Sequence, residues 1–569
     1  MDLSIATCLD DSKQKIKIDN HFKVIAGPGA GKTTFVVSHI KNIIEKSDKI
    51  SDLRKIACIT YTNVGVESIT AKLGDAYEST EVSTIHSFLY KNVVKPYLWI
   101  LSDDYEFDLK NINGHDDVKP TYSILSEWKA ETKQFALNDD KELSKALSKL
   151  SWILKDEIIE LGFQKTWYAK AGVYNIKKDS YLAYKKICWK NGLISHDDIL
   201  FLSYKILEKN SRILDILRGK FPYVLVDEFQ DTNPIQSAII KLIANEETIV
   251  GVIGDECQSI YSFQGADVEQ FINFNLPNMK LYYISDNRRS TVEIINLLNY
   301  VRGEKSFNQK SSDELHGDKP CIILGNFFKS FENVKELCND EVICSLSYKK
   351  ELSNQLKYGV ESFFSEDATD ELLFDDEERG RMIFYSICSM EYCKQLNYKE
   401  ALKNMRKAYR KTIGFNDRDS FENMKRLSDS YNEITCLNIS DFYNSYIYGF
   451  YNTKKRISSG NKKRYYDSLT YKQLACVVNI NEDAGKFRTI HKAKGDEFEN
   501  VLLLMNPCDF NESKDLDFLL HPDMTNEEHR VYYVALSRAK KRLFISIPFV
   551  SVEVKSRLEN IEWIKIDMI

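Results

Sequence analysis

The sequence predicts an α/β fold in which a parallel sheet presents a phosphate-binding loop. Three observations carry this expectation. The apolar run "FKVIA" ends in the turn "GPGAG" and opens into "KTTFVVSHIKNII", whose apolar residues recur at helical spacing. A second apolar run, "YVLV", ends in the carboxylates Asp227 and Glu228. Further strand-like runs within 58–73, 252–267, 283–301, 487–505 and 526–545 lead into polar, hydroxyl or aromatic residues. Ligands of open α/β sheets bind at such strand ends.

In chain order, the first element is the strand at 22–26. Ala26 takes the first position of the usual G-x-x-x-x-G-K-[ST] pattern, and Gly27, Gly29, Ala30 and Gly31 continue the loop. Gly29 and Gly31 let the backbone wrap round phosphates, and the helix that follows adds its positive dipole end. Lys32 is placed to reach the β- and γ-phosphates, and Thr33 to ligate Mg²⁺. The second carboxylate-ended strand supplies Asp227 for the metal's water shell and Glu228 as the general base that polarises an attacking water. Alone, an Asp-Glu pair is a solvated strand end; behind "YVLV" and downstream of a phosphate loop it reads as chemistry. The cofactors these residues imply are a nucleoside triphosphate and Mg²⁺.

Composition bounds the rest. A chain of 569 residues accommodates three to four domains at about 150 residues each. Hydrophobic residues at 43% and charged ones at 28% give an ordinary globular balance. No apolar run is long enough to cross a membrane, and the acidic, polar start "MDLSIATCLDDSKQK" is unlike a signal peptide. A cytoplasmic location without a membrane partner is therefore expected. The twelve cysteines form no Cys-x-x-Cys pair, and the spacings Cys338/Cys344 and Cys388/Cys393 suit neither zinc nor a disulfide framework. Reduced, buried thiols are expected. A net charge of −6 argues against a protein coated in positive charge but leaves room for a local basic groove.

In order and spacing, "VDEFQDTN", "GDxxQSIYSF", "NxRST", "TIHKAKGxEF" and "VALSRA" resemble the motifs of superfamily 1 helicases of the UvrD/PcrA/Rep type. The resemblance implies two RecA-like P-loop NTPase domains, parallel sheets flanked by helices, each with a mostly α-helical insertion and with ATP between them. The first domain would comprise 1–89 and 193–295, with insertion 90–192. The second would comprise 296–364 and 476–569, with a reduced insertion at 365–475. Carried over residue by residue, Gln14 would read adenine, Gln258 would sense the γ-phosphate and Glu497 would contact the ribose. Arg289 and Arg538 would reach across as arginine fingers. Tyr61, Tyr261 and Phe263 would offer stacking faces to a single strand. Thr60, Thr62, Asn63, Thr84, His86, Ser87, Thr489 and His491 would hold its phosphates. Taken singly, Tyr61 or Phe263 would read as core and His86 as a structural histidine.

The chain departs from the family pattern in four places. Thr34 stands where relatives usually carry Arg, and Arg288 where they usually carry Tyr; both flank the expected base pocket, and an Arg guanidinium can also stack on a purine. "FQGA" at 263–266 replaces the usual "WRGA". The insertion at 365–475 is short for the family and carries the acidic stretch "SEDATDELLFDDEERGR" and the basic clusters "TKKR" and "NKKR". No nuclease-like extension is expected after Arg538. In the other insertion, Trp99, Trp128, Trp152, Trp167 and Trp189 fall at helical spacings and read as core.

Two functions of different kind fit these motifs. One is a 3′→5′ translocase or helicase acting on single-stranded or partially duplex DNA. The other is an ATPase that senses DNA ends and switches a partner nuclease, with little unwinding of its own. On size and architecture the chain resembles the helicase-like subunit of Gabija-type anti-phage systems, which implies an OLD-family nuclease as partner.

Overall fold

Uninterrupted apolar runs become central strands because helices cover both faces of a parallel sheet. In the computed structural model, Phe22–Ala26, Tyr223–Val226 and Ile249–Gly254 are buried along their whole lengths. The described residues are all except 1, 2, 4, 111, 113–119, 246, 304–306, 361–375, 411, 413, 451–455, 479–484, 508, 509 and 569. The chain divides into two compact units. The first is Met1–His316 with Pro522–Ser537, and the second is Gly317–His521 with Arg538–Ile569.

The first unit is built on a seven-stranded sheet. Its order is Thr7–Leu9, Lys280–Ile284, Phe22–Ala26, Ile249–Gly254, Tyr223–Val226, Ile56–Thr60 and Thr80–Thr84, and every pairing is parallel. Their C-terminal ends therefore lie along one edge, which brings together the phosphate loop after Ala26, Asp227 after Val226 and Asp255 after Gly254. Local signals place the covering helices. Pro234–Ile243 starts with a capping box between Asn233 and Gln236 and a proline in its first turn. His196–Lys209 starts with a capping box between Ser195 and Asp198.

The second unit carries a six-stranded sheet, again parallel throughout. Its order is Phe487–Thr489, Ile343–Ser347, Phe498–Leu504, Ala539–Ile547, Cys321–Leu324 and Lys565–Met568. Two parallel sheets flanked by helices are the expected α/β, RecA-like class.

The region 90–192 contains the helices Tyr122–Thr132, Asp140–Leu147 and Tyr181–Lys190. It also contains two antiparallel hairpins, Ser151–Lys155 with Ile158–Gly162 and Lys170–Ala171 with Tyr174–Asn175. The first turns through Asp156 and Glu157, both at positive φ, so it lacks the Gly or Asn that advertises such a turn. Trp128, Trp152 and Trp189 are core, Trp152 lying flat on Phe201 with ring centroids 3.5 Å apart. Trp99 is 62% exposed, against expectation, because the short helical turn Leu98–Leu101 buries Leu98 and Leu101 instead. The Trp167 side chain lies outside the described residues.

In 365–475, helices Glu377–Lys394, Tyr398–Tyr409, Asp417–Asp429, Asn461–Ser468 and Tyr471–Val477 contribute to an apolar core. Most of the acidic stretch and most of "TKKR" lie outside the described residues, whereas "NKKR" opens the helix Asn461–Ser468. Eleven cysteines are described, all free; nine are buried, and Cys8 and Cys436 are exposed. Among the described residues no helix is long and apolar enough to cross a membrane.

Candidate functional site

Gly29 and Gly31 sit at φ 72° and 80°, the left-handed region that glycine enters without strain. A Cβ on Gly29 would lie 2.3 Å from Asn287 Oδ1, so the loop also needs glycine for space. The helix Lys32–Lys46 begins directly after Gly31, which aims its free N–H groups into the loop. Lys32 Nζ lies 3.5 Å from the Ala26 carbonyl and 3.8 Å from Glu228 Oε1. Ala26 and Ala30 are buried, and Lys32, Thr33 and Thr34 are half-buried.

Asp227 is buried and its N–H donates to the Ile59 carbonyl at 2.8 Å, extending the sheet by one residue. Glu228 then adopts φ 54°, unusual for a non-glycine, and its N–H donates to Asp227 Oδ1 at 3.0 Å. This sharp turn parts the two carboxyls while keeping both beside Lys32. Burial and then the Glu228 charge push the Asp227 carboxyl up to about 7, opposed by Lys32. A buried acid so destabilised as an anion is suited to the water shell of a cation. No group of three or more His, Cys, Asp or Glu side chains placed to hold a metal occurs among the described residues. Mg²⁺ takes few protein ligands and is completed by phosphate and water. Thr33 and Asp227 fit it, and the ion would neutralise phosphate charge there.

The segment after Lys280–Ile284 closes the underside of the loop. Asn287 Oδ1 accepts the N–H groups of Arg289 and Ser290, and the Arg288 N–H donates to the Gly29 carbonyl at 3.0 Å. Gln309 Nε2 donates to the Pro28 carbonyl at 2.8 Å. Arg289 thus belongs to the same unit as Lys32; the neighbouring Arg288 N–H ties its segment to the loop, and Arg289 Nη1 donates to the Ser537 carbonyl at 2.9 Å. Arg289 lies in the first unit with Lys32, as the limits 193–295 place it, so the expectation that it reaches across is not matched by this placement. Arg288 is exposed, 3.4 Å from Asp286 and 3.7 Å from Asp11. Gln14 is exposed, and its amide oxygen accepts the Asp10 N–H at 2.6 Å. Gln258 is buried and donates to Asp255 Oδ2 at 2.7 Å.

The strand-contact candidates of the first unit follow three strands, Ile56–Thr60, Thr80–Thr84 and Ile249–Gly254. Thr60 is buried. Tyr61 and Tyr261 stack on each other, centroids 5.0 Å apart, and the Tyr61 hydroxyl donates to Gln264 Oε1 at 2.6 Å. Gln264, standing where relatives carry Arg, is thus a strut for Tyr61. Burial raises the Tyr61 hydroxyl's pKa well above the ordinary tyrosine range. Phe263 is 57% exposed, its ring tilted against Tyr261 with centroids 6.0 Å apart. Thr62 and Thr84 cap the helices Asn63–Leu73 and Ile85–Leu89, and Asn63 is exposed. Thr84 Oγ1 also donates to Ser87 Oγ, and His86 meets His196 edge-on at 5.6 Å.

In the second unit, Thr489 Oγ1 accepts the Lys492 N–H at 3.4 Å and His491 meets Tyr348 edge-on. Glu497 pairs with Lys540 at 2.8 Å. Arg538 is 2% exposed; its Nη1 donates to the Asp496 carbonyl at 3.1 Å, and its own carbonyl accepts the Phe498 N–H. Motif reading passed over Asn287 and Gln309, which shape the loop from below; Asn287 stood inside a quoted motif, whereas nothing in sequence marks Gln309.

The fold and the loop are those of the P-loop class, with a lysine and two carboxylates around one turn. Residues 10–277 match the UvrD/REP helicase N-terminal domain. The chain is 29% identical over 297 residues to a probable DNA helicase II homolog of Mycoplasma capricolum, covering 51% of this chain and 40% of that protein. It is 28% identical over 291 residues to the ATP-dependent DNA helicase PcrA of Bacillus subtilis, covering 50% and 37%. For PcrA of Staphylococcus aureus strain Mu50 the identity is 27% over 284 residues, covering 49% and 37%. The matched part is therefore well under half the length of these relatives. Residues 10–277 are thus similar to the N-terminal domain of UvrD/REP helicases, and the chain resembles the PcrA and DNA helicase II proteins over about half its length.

Proposed function

We propose that the chain is an ATP-dependent DNA translocase or helicase that couples Mg-ATP hydrolysis to 3′→5′ movement on single-stranded DNA in the cytosol. The observation that carries the reading is that Lys32, directly after the glycine loop, lies 3.8 Å from Glu228, whose N–H is held by Asp227, all within one unit. Lys32 and the loop N–H groups hold the phosphates. Glu228 takes the proton of the attacking water, and Gln258 faces the terminal phosphate. Arg289 and Arg538 stabilise the charge that develops there. Phe263 stacks on a base, and Thr489 and His491 hold backbone phosphates. The domain limits set out from the sequence, with 90–192 and 365–475 as insertions, belong to this proposal. The names of the relatives, DNA helicase II homolog and PcrA, support it.

Strand displacement on duplexes with a 3′ or a 5′ single-stranded tail tests it. Displacement of the 3′-tailed substrate alone is expected. DNA-stimulated hydrolysis without displacement, together with co-purification of an OLD-family nuclease, favours the end-sensing ATPase of a defence system instead.

A further inference from the structure

Between the turn after Tyr223–Val226 and the turn after Ile249–Gly254 lies a set of buried polar groups with no role so far. Gln230 sits at its centre. Its amide nitrogen donates to Glu228 Oε2 at 2.6 Å, and its amide oxygen accepts the Asp255 N–H at 3.0 Å. Its main-chain carbonyl accepts the Ser259 hydroxyl at 3.0 Å. A carboxylate only accepts and an N–H only donates, so the orientation of this amide is dictated at both ends. The approach is close: a Cβ on Gly254 would lie 2.5 Å from Gln230 Oε1, which accounts for glycine immediately before Asp255.

Asp255 divides its carboxylate in the same way. Oδ2 accepts from Gln258 Nε2 at 2.7 Å, and Oδ1 accepts from Arg302 Nη1 at 2.8 Å. The side chains of Arg302 and Asp255 are 1% and 0% exposed, and the guanidinium lies over the Phe307 ring, 4.2 Å from its centroid. Buried ion pairs contribute little net stability, since desolvation offsets the attraction. What this pair does is fix a carboxylate in place. The fixed carboxylate in turn leaves the Gln258 amide one orientation, nitrogen toward Asp255.

We propose that Gln230 and Asp255, the latter anchored by Arg302, are positioning residues that lock Glu228 and Gln258 into one frame. The carboxylate that faces the attacking water and the amide that faces the terminal phosphate then keep a constant spacing through turnover. This rests on the roles given above to Glu228 and Gln258. The same frame reaches the strand-contact turn, because Arg530 Nε donates to the Ser259 carbonyl at 2.7 Å and Glu527 accepts the Ser262 N–H at 3.0 Å.

The test compares ATP turnover, nucleotide KM and Tm of the full chain. Arg302→Met leaves a buried carboxylate without its cation and is expected to lower Tm. Adding Asp255→Asn removes that charge, so the double variant is expected to regain Tm. Its kcat is nevertheless expected to stay about tenfold or more below the parent, with KM within about twofold. Gln230→Met, which is uncharged and of similar volume, is expected to give the same split between kcat and KM even where the double variant does not regain Tm. A kcat within about twofold of the parent for both, while Glu228→Gln is inactive in the same assay, overturns the frame and leaves Glu228 as the base. Turnover by Glu228→Gln at the parent rate overturns the underlying reading and this one with it.

Discussion

The two units carry the same kind of sheet with different strand ends. In the first, adjacent parallel strands end in a glycine loop followed by Lys32, in Asp227 and in Asp255. In the second, the adjacent strands Ile343–Ser347 and Phe487–Thr489 end in hydroxyls, with Tyr348 and His491 just beyond. The polar groups at the first set of ends are paired into a charged network around Lys32; those at the second set are short neutral donors. The parallel sheet thus supplies an edge, and the residues on that edge decide whether it suits a triphosphate or a sugar–phosphate backbone. The contrast predicts that changes at the first edge abolish hydrolysis itself, while changes at the second spare it and alter only its response to nucleic acid.

The largest effect is expected from Lys32→Ala, which removes the cation from the phosphate loop. Phosphate release should fall by about 10³-fold or more. Glu228→Gln should follow, with turnover down by about 10²–10⁴-fold while fluorescent nucleotide still binds, since the amide cannot take a proton. Phe263→Ala should leave basal hydrolysis unchanged and weaken single-strand affinity by ~1–3 kcal/mol, the worth of one stacked base. Equal affinity in variant and parent would remove Phe263 from the strand's path. Thr489→Ala should cost the same affinity by ~0.5–1.5 kcal/mol, again without touching basal turnover. A loss of basal turnover in Thr489→Ala would erase the contrast between the edges.

A control away from both edges concerns Asp197. Its carboxylate accepts the Trp152 N–H, and burial raises it from 3.8 to about 6 despite Lys185. An acid with a raised folded pKa stabilises the fold below its unfolded pKa, and that contribution disappears as pH rises from about 4 to about 6. Asp197→Asn should therefore be more stable than the parent at pH 7, by at most about 1–3 kcal/mol, and lose that advantage below about pH 4. Tm across pH measures this.

Much of the first edge was legible in the sequence because its signals are local. A glycine turn between an apolar run and a helix, or a carboxylate pair behind "YVLV", is complete within a few residues. The capping boxes at Ser195 and Asn233 are local in the same sense. What sequence missed is long-range. Asp255 and Arg302 are 47 positions apart, and Gln309 meets Pro28 across 281. No periodicity links such pairs. The Asp156–Glu157 hairpin escaped because its turn uses neither Gly nor Asn. The stacking of Tyr61 on Tyr261 escaped because each was weighed alone as a face for a base. Arg289 was legible as a residue of the first domain, but the bond from its Nη1 to the Ser537 carbonyl, 248 positions on, was not.

The central claim is that hydrolysis at the Lys32 loop is coupled to a bound strand. Steady-state phosphate release by the full chain, measured with saturating Mg-ATP in the absence and presence of single-stranded DNA, tests it most directly. The account predicts a marked rise in rate on adding DNA, and a rate identical with and without DNA would contradict it.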